Sequence, residues 1–414
     1  MSRGNRTDQR ASPVGSAVQQ CISSHIRNGA GLRPETAALF PGPSRSRLDT
    51  EQMKGKAVSH KHPWRVRIAA ALALLVGVTT AACGSADEAT VTADGKTELR
   101  YLSFPATVQF PELAADLGYF TKVSIKAVGE TTSGPQSIQA AATGDTDFGH
   151  AFNGAIVKLA SAGSPITAVV DSYGADEKTF NGFYVLEDSP IRTARDLIGK
   201  KIGINTLGAH SEFVIREWLA REGLSKDEIA SVQLLVVPPI NNESSLRQGQ
   251  IDVGAFNGIF QQRALENGGI RELFTDRIFG DFSYGSYVFR DDFIKKNPEA
   301  VKDFVQGTAR AIRWTQVTPQ AEVVARFKDI ITKRGRGEDP ALAEYWKSSS
   351  IPTPGGVIKP EEFQLWIDWL VRNNELDKGK LTPQDIFTND DNPYADGTYQ
   401  PDSGPDGAPV VAAK

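Results

Sequence analysis

The side chains that could carry out acid–base or nucleophilic chemistry form no recognised group along this 414-residue sequence. The chain lacks the G-x-S-x-G elbow, the P-loop, the dinucleotide-binding G-x-G-x-x-G and the H-E-x-x-H pair. Of its five histidines, only His150 and His210 lie outside residues 1–82, which are interpreted below as an upstream segment and an export signal. Two histidines do not complete a zinc site, which needs three or four ligands. The sequence therefore predicts neither a metal nor a cofactor, and it favours binding over catalysis.

Short polar segments instead follow several predicted strands, at the points where the chain turns into a helix. In open α/β sheets, ligands bind beyond the carboxyl ends of the strands. The segments are rich in Gly, Asn, Ser and Thr, which offer backbone N–H groups and short side chains to a polar ligand. A helix cap or a tight turn would explain any one of them, but their joint occurrence predicts a ligand-binding cleft. They are residues 104–107, 131–133, 152–154, 207–211 and 256–258.

Two of these segments are nearly the same. DFGHAFNG at 147–154 returns as DVGAFNG at 252–258, and the copies follow similar steps, GDTD and GQID. Each copy ends a predicted strand and places a glycine where the chain must turn. Because each copy also closes a series of alternating strands and helices, the repeat predicts two lobes of similar construction.

The alternation of strand and helix patterns from Leu99 onward predicts an α/β fold. Two similar extended segments, FYVLEDSPI at 183–191 and SYGSYVFRDDFI at 283–294, bracket the second series of elements. We interpret them as a pair of hinge strands between the lobes. The predicted bounds are 98–186 with 285–387 for lobe 1, and 187–284 for lobe 2.

The C-terminal part of the chain is predicted to be helical and then irregular. Three segments after the second hinge carry apolar stripes at helical spacing, and their Trp314, Trp366 and Trp369 are assigned to the core. Residues 388–414 are rich in Asp, Gly and Pro, and they are predicted to be a disordered tail.

A segment near the N-terminus has the order of a bacterial lipoprotein signal. The apolar run AAALALLVGV at 69–78 follows a basic region and precedes TAAC, which is similar to a lipobox and ends at Cys83. The run is too short for a transmembrane helix of about 20 residues. We interpret residues 53–82 as the signal peptide, Cys83 as the lipidated anchor on the outer face of the cell membrane, and residues 83–97 as a linker. Plain secretion with a free thiol is the alternative.

Residues 1–52 are polar and Arg-rich, and translation from Met53 would give a signal peptide of ordinary length. They are interpreted as a segment upstream of the true start, with a nucleic-acid-binding arm as the alternative. Of the 46 Lys and Arg, 12 lie in residues 1–82, as do 4 of the 50 Asp and Glu. The remaining chain is therefore acidic and is not expected to bind nucleic acid.

Five pieces of the sequence, in this order and spacing, resemble the nitrate/sulfonate/taurine-type solute-binding proteins of bacterial ABC importers. That family shares its fold with thiamine-precursor binding proteins. The resemblance implies a two-lobe periplasmic-binding-protein (type II) fold with two hinge strands, acting as a monomer. It also implies closure on a small molecule, and delivery to ABC permease and ATPase subunits. The pieces are LGYF, QSIQAAATGDTDFG, SPIRTARDLIGKKIGINTLGAHSEFVIREWL, SLRQGQIDVGAFN and RDDFIKKNPEAVKDFVQGTARAI.

The resemblance also implies which residues contact the ligand, because the family's contacts come from the loops after the strands. The five loops contain no Arg or Lys, so an anion would be held by helix N-termini. A small heterocycle between Phe104, Phe152 and Phe256 is the alternative ligand. The implied ligand-binding residues are Phe104, Thr107, Thr132, Ser133, Phe152, Asn153, Gly208, Ala209, His210, Ser211, Asn257 and Tyr284.

Two other functions fit the same fold. An enzyme of pyrimidine or thiamine-precursor synthesis would use His210 in the cleft, although export from the cytoplasm argues against biosynthesis. A ligand-sensing protein would present the same cleft to a receptor. The sequence favours a binding protein over an enzyme.

Overall fold

The computed structural model describes residues 90–410. The strands are β1 (Thr90–Val91), β2 (Thr97–Ser103), β3 (Val123–Glu130), β4 (Phe148–Phe152), β5 (Ile166–Ala175), β6 (Gly182–Leu186), β7 (Lys201–Ile204), β8 (Gln233–Val236), β9 (Val253–Phe256), β10 (Ile270–Thr275) and β11 (Phe282–Arg290). The helices are α1 (Phe110–Asp116), α2 (Gly134–Thr143), α3 (Asn153–Ser161), α4 (His210–Arg221), α5 (Lys226–Ala230), α6 (Pro239–Arg247), α7 (Gly258–Glu266), α8 (Asp291–Lys296), α9 (Pro298–Val317), α10 (Gln320–Arg334) and α11 (Glu361–Arg372).

Lobe 1 contains two small sheets that meet at their edges. One has the strand order β1-β2-β3, with β2 parallel to β3, and the other has the order β4-β11-β5, with β11 antiparallel to both neighbours. Arg100 in β2 joins them, because its N–H donates to Asp147 Oδ2 at 2.7 Å and its carbonyl accepts the Asp147 N–H at 2.9 Å. The core packs Phe148 against Phe304 of α9, with ring centroids 4.6 Å apart.

The sequence of strand β4 determines which of its side chains lie on each face of the strand. Its small residues, Gly149 and Ala151, share one face, and a Cβ on Gly149 would lie only 2.4 Å from the carbonyl oxygen of Ser137 in α2. Helix α2 therefore packs closely on that face. The large residues Phe148, His150 and Phe152 must then share the opposite face, because strand side chains alternate.

Lobe 2 is built on one sheet with the order β10-β6-β9-β7-β8. Strand β7 is parallel to β8 and β9, whereas β6 is antiparallel to β9 and β10. The core stacks Phe274 between Phe183 and Trp218, at centroid distances of 4.2 and 3.9 Å. Helix α4 packs on this core with a face of buried residues that includes Val214, Ile215 and Leu219.

The chain crosses between the lobes at 176–181 and at 276–281, and both crossings differ from the predicted hinges. The segment predicted as the first hinge forms β6, which is paired on both edges inside the lobe 2 sheet. Lobe 2 therefore begins before residue 187. Strand β11 forms the centre of a lobe 1 sheet, so its residues 282–284, placed in lobe 2 by the predicted bounds, belong to lobe 1. Both pairings depend on partners that are distant in sequence, and local pattern does not reveal them.

The C-terminal residues pack on lobe 1 and correct the predicted tail. Trp366 and Trp369 are buried as expected. Residues 388–410, however, are not an unpacked tail. Asn392 is fully buried and its side chain donates to the Gly355 carbonyl at 3.0 Å, while Arg313 Nε donates to the Ser403 carbonyl at 2.7 Å. Turns and side-chain hydrogen bonds satisfy this segment's polar groups in place of a helix or sheet.

The N-terminal predictions fall mostly outside the described residues. Cys83, the signal peptide and residues 1–52 all do so. Part of the predicted linker is ordered, because β1 pairs with β2 in an antiparallel hairpin. Between residues 90 and 410, none of the helices combines the length and apolar character needed to cross a bilayer.

Candidate functional site

A cavity of about 420 Å³ lies between the two lobes. Its walls come from the ends of β2, β4 and β5 in lobe 1, from the starts of α4 and α7 in lobe 2, and from the first crossing. The lobes also contact each other at its edge. Asn205 Nδ2 donates to the Thr132 carbonyl at 3.1 Å, and the hydroxyls of Ser133 and Thr206 lie 3.3 Å apart. The molecule therefore has its cleft in a closed arrangement.

Most of the residues predicted to contact a ligand line this cavity. They come from all five polar loops, and from the start of β11. The tertiary structure thus brings together side chains that are up to 180 positions apart in the chain. The lining residues from the predicted set are Phe104, Thr107, Thr132, Phe152, Ala209, His210, Ser211, Asn257 and Tyr284.

Three predicted residues do not line it. Ser133 is the N-cap of α2, where its hydroxyl accepts a backbone N–H. Gly208 adopts a positive φ of 71° and donates its N–H to Glu212 at 2.8 Å, so it shapes the turn into α4. Asn153 is fully buried, and its side-chain oxygen accepts the Ser286 hydroxyl at 2.8 Å. These residues support the cavity wall without forming it.

The first cavity loop, residues 104–109, is held by a buried charge network. The Arg334 guanidinium donates to both carboxylate oxygens of Glu338, at 2.6 and 2.7 Å, and to Glu112 at 2.9 Å. Glu338 accepts the Ala106 N–H at 2.6 Å, and Arg334 also donates to the Thr107 carbonyl at 3.1 Å. Ala106 has a positive φ of 59°, which is unfavourable for a residue with a Cβ. The carboxylate–amide bond stabilises this conformation.

His210, the first residue of α4, is fixed by two contacts. Its Nε2 lies 2.9 Å from Asp276 Oδ2, and its ring stacks on Tyr284 with centroids 3.6 Å apart and planes within 4°. Asp276 is fully buried and also accepts the Asn181 N–H at 3.0 Å. A carboxylate can only accept, so Nε2 carries a hydrogen. Nδ1 has no hydrogen-bond partner among the described residues.

His150, in the middle of β4, lines the cavity from lobe 1. The sequence left open whether this side chain faces the cleft or the core. In the structure it faces the cleft, because strand side chains alternate and His150 lies on the same face of β4 as Phe152. Burial lowers the pKa of His150 to about 3, so its imidazole is neutral at physiological pH.

Two helices of lobe 2 begin at the cavity without a side-chain cap. The N-cap residues of α4 and α7 are Ala209 and Asn257, and neither side chain accepts a hydrogen bond from the helix. Helix starts carry unpaired N–H groups and a partial positive charge, so each can hold an anion or a polar group. Lys347 is the only Lys, Arg, Asp or Glu among the residues that line the cavity.

One part of the cavity wall was not predicted from the sequence. Residues 346–350 follow a 3₁₀ helix at Pro340–Tyr345 and line the cavity from the C-terminal region. The Ser350 hydroxyl accepts the Gly174 N–H at 3.1 Å, and the Ser348 hydroxyl donates to Thr179 at 2.7 Å in the first crossing. No strand precedes this segment, so a search of strand ends does not find it. The run KSSS after Trp346 is the one local signal.

Behind the wall, Asp171 of β5 and Glu362 of α11 are buried carboxyl groups. Burial raises the pKa of Glu362 to about 7. Burial, and then the nearby Glu362 charge, raise the pKa of Asp171 well above its usual value. Polar neighbours keep the pair satisfied, since Ser286 and Thr353 each lie 3.4 Å from an Asp171 oxygen.

Glu362→Gln is expected to reduce the pH dependence of stability. Folding raises the pKa of Glu362 from 4.5 to about 7, so the folded protein keeps a proton that the unfolded chain has released. Stability must therefore fall as pH rises through this window and level off above it. Urea unfolding at pH 5 and pH 7.5 should show a larger loss for the wild type than for the variant. Equal losses would contradict the assignment.

Known proteins share this architecture. The periplasmic aliphatic sulphonate binding protein SsuA from Escherichia coli aligns with a TM-score of 0.54 at 20% identity, covering 70% of this chain and 92% of that one. A protein described as a binding protein from Brucella abortus (strain 2308) is 25% identical over 228 residues, 53% of this chain and 67% of the relative. The 4-amino-5-hydroxymethyl-2-methylpyrimidine phosphate synthase of Schizosaccharomyces pombe is 23% identical over 308 residues, 70% of this chain and 83% of the enzyme. The predicted α/β periplasmic-binding-protein fold is confirmed.

The family assignment agrees with this likeness. A family model described as NMT1/THI5 like matches residues 112–322, a range that runs from α1 into α10 and includes most of the cavity loops. The match covers slightly more than half of the 414 residues, and the protein therefore belongs to the NMT1/THI5-like family.

Proposed function

We propose that this protein is an extracytoplasmic solute-binding lipoprotein of an ABC importer, which captures a small molecule between its lobes and delivers it to the permease. The observation that carries this proposal is the cavity itself. It is of ligand size, it is walled by both lobes, and the lobes are joined by two crossings about which they can open. Hydrogen bonds such as Asn205 to Thr132 close the cleft, so the solute must enter an open form and is then enclosed.

The lining is compatible with two classes of small solute. Sulfonates, nitrate and related anions are one candidate class, because the uncapped starts of α4 and α7 would each favour negative charge by about 0.3–1 kcal/mol. The fold likeness to a sulphonate binding protein points to the same class. A small heterocycle is the other candidate, since aromatic rings form much of the wall.

Solute binding is tested with the residues that line the cavity. Asn257→Ala should weaken binding in calorimetry without lowering the unfolding midpoint of the unliganded protein, because Asn257 lines the cavity at the start of α7. Asn241→Ala, on the exposed side of α6, is the matched control. A solute at a hundred times its dissociation constant should stabilise the wild type by about 2.7 kcal/mol. If no anion or heterocycle raises the unfolding midpoint, the proposed function fails.

The lipid anchor and the importer subunits are proposed from the sequence. Cys83→Ser should abolish labelling by an alkyne-modified fatty acid in a bacterial host and should move the protein from the membrane fraction to the soluble one. The wild type should be labelled and sediment with membranes. An unlabelled, soluble wild type would refute the anchor and leave the solute-binding proposal standing.

An enzyme is the second candidate. The observation that favours it is His210, which lines the cavity and is bonded to the buried Asp276. The similarity to the S. pombe synthase points the same way. Formation of a pyrimidine phosphate, or a change in the intact mass of the protein at His210, would favour this function over transport.

A further inference from the structure

Two buried carboxyl groups, Asp171 of β5 and Glu362 of α11, lie together behind the cavity. Asp171 is fully buried and Glu362 is 6% exposed. Among the described residues, the other titratable group that faces them is Lys359, whose backbone N–H donates to Glu362 Oε2 at 3.0 Å. Two negative charges here would repel each other without water to screen them. The remaining neighbours are uncharged hydroxyl groups from β11 and from the segment before α11, namely Ser283, Ser286 and Thr353.

The hydrogen bonds around Asp171 are those of a neutral carboxyl group. The Ser286 hydroxyl has one hydrogen, and its short bond, of 2.8 Å, goes to the side-chain oxygen of Asn153. Its distance to Asp171 is 3.4 Å, and the Thr353 hydroxyl is equally far from the second Asp171 oxygen. An ionised carboxylate draws hydroxyl donors in to about 2.5–2.7 Å. The geometry therefore indicates that the pair holds a proton, in agreement with the raised pKa of both groups.

The carboxyl pair lies where the hinge begins. Strand β5 leads into the first crossing, and β11 starts directly after the second. The ladder between these strands is irregular, because its register shifts on both sides of Gly285, next to the pairing of Ser286 with Asp171. Irregular pairing bends a ladder and interrupts its hydrogen bonds locally. Ser283, near the start of β11, packs against both carboxyl groups, so movement at the crossings reaches the pair.

We propose that Asp171 and Glu362 form a pH-dependent switch of the hinge, in which the protonated pair stays buried and keeps the cleft closed, and loss of the proton favours the open form. A charge left on the pair needs water. The cavity supplies the route for that water, because residues 172–174, next to Asp171, line it. Opening of the cleft exposes this part of β5 and hydrates the pair.

The direction of the effect follows from proton linkage. In the closed form the pKa of Glu362 is raised to about 7, so this form keeps a proton that an open, hydrated pair releases. Raising the pH through this value must therefore favour opening, and lowering it must favour closure. The switch is a property of the lobes and goes beyond the proposed capture of a solute.

The test measures the distance between the lobes without any solute. Spin labels are attached through Glu130→Cys in lobe 1 and Asn241→Cys in lobe 2, two exposed positions on opposite sides of the cleft. The full chain carries Cys21→Ser and Cys83→Ser, so the introduced thiols are the labelling sites. Pulsed electron–electron double resonance at pH 5.5 and pH 8.5 should show an open fraction at least about threefold larger at the higher pH. Identical distance distributions at the two pH values overturn the inference.

Glu362→Gln assigns the response to the carboxyl pair. The amide keeps the shape of the protonated acid and cannot ionise, so the distance distribution should no longer depend on pH. Glu361→Gln, at the exposed neighbouring position, should respond as the wild type does. A response that persists in Glu362→Gln would come from another group, such as His210 with Asp276, and would overturn the inference. The wild-type measurement does not depend on how well the variant folds, and neither result bears on whether a solute binds.

Discussion

Arg334→Met is expected to lower the free energy of unfolding by about 3–5 kcal/mol and to weaken solute binding. The guanidinium is 9% exposed and pairs with Glu112 and Glu338, whose side chains are 6% and 9% exposed. Removing the cation leaves the buried Glu338 carboxylate without its ion-pair partner and Glu112 with Arg336 alone, at 3.3 Å, which costs more than the loss of the pair itself. The same change frees the Ala106–Thr107 loop, so the lobe 1 wall of the cavity loses its position.

Arg195→Met is the matched control for this prediction. Arg195 forms an ion pair with Glu228 at 2.9 Å, but its side chain is 64% exposed. Exposed pairs of this kind contribute about 0–1 kcal/mol. Urea unfolding and calorimetry on both variants separate the two effects. A wild-type unfolding energy for Arg334→Met would show that the buried network does not hold the loop.

Phe152→Ala should cost about 3–5 kcal/mol, the range for deleting a buried ring. Phe152 is 1% exposed and contacts rings from both lobes, Trp366 of lobe 1 at 4.5 Å and Phe213 of lobe 2 at 4.9 Å. Its loss leaves a hole beside the solute cavity and removes apolar contact between the lobes. We therefore expect weaker solute binding together with the loss of stability.

The control for this deletion is Val236→Ala, at the end of β8, where the side chain is 58% exposed. Truncation there should change the unfolding free energy by less than about 0.5 kcal/mol. Thermal or urea unfolding of the two variants gives the comparison. A loss at Phe152 no larger than that at Val236 would mean that the ring is not packed as described.

The local sequence pattern predicted the two-lobe architecture because the signals for that architecture lie in residues that are close together in the chain. Alternating strands and helices, glycines at helix ends such as Gly144, and the repeated loop at 147–154 and 252–258 all depend on neighbouring residues. The hinge could not be placed in the same way. β6 looks like any extended apolar segment, and only its pairing with β9 and β10 assigns it to lobe 2.

The loops that surround the cavity were predicted for the same reason. Loops after strands converge at one edge of a sheet, so most of the proposed contacts do meet in one cavity. The position of a residue in such a loop does not determine the direction in which its side chain points. Asn153 begins α3 directly after β4, yet its side chain turns to Ser286 of β11 instead of the cavity. Residues 346–350 as part of the cavity wall, and the packing of residues 388–410, were not predicted because both depend on partners that are distant in the sequence.

By itself, the sequence determined the class of fold, the two lobes and the loops that meet at the cavity. Periodicity, caps and turns are properties of neighbouring residues, so they can be recognised without knowing how the rest of the chain folds. Only the tertiary structure decided which side chains face the cavity, where the chain crosses between lobes, and that His150 lies unpaired among aromatic rings. Those outcomes depend on contacts between residues far apart in the chain, and packing in three dimensions selects them.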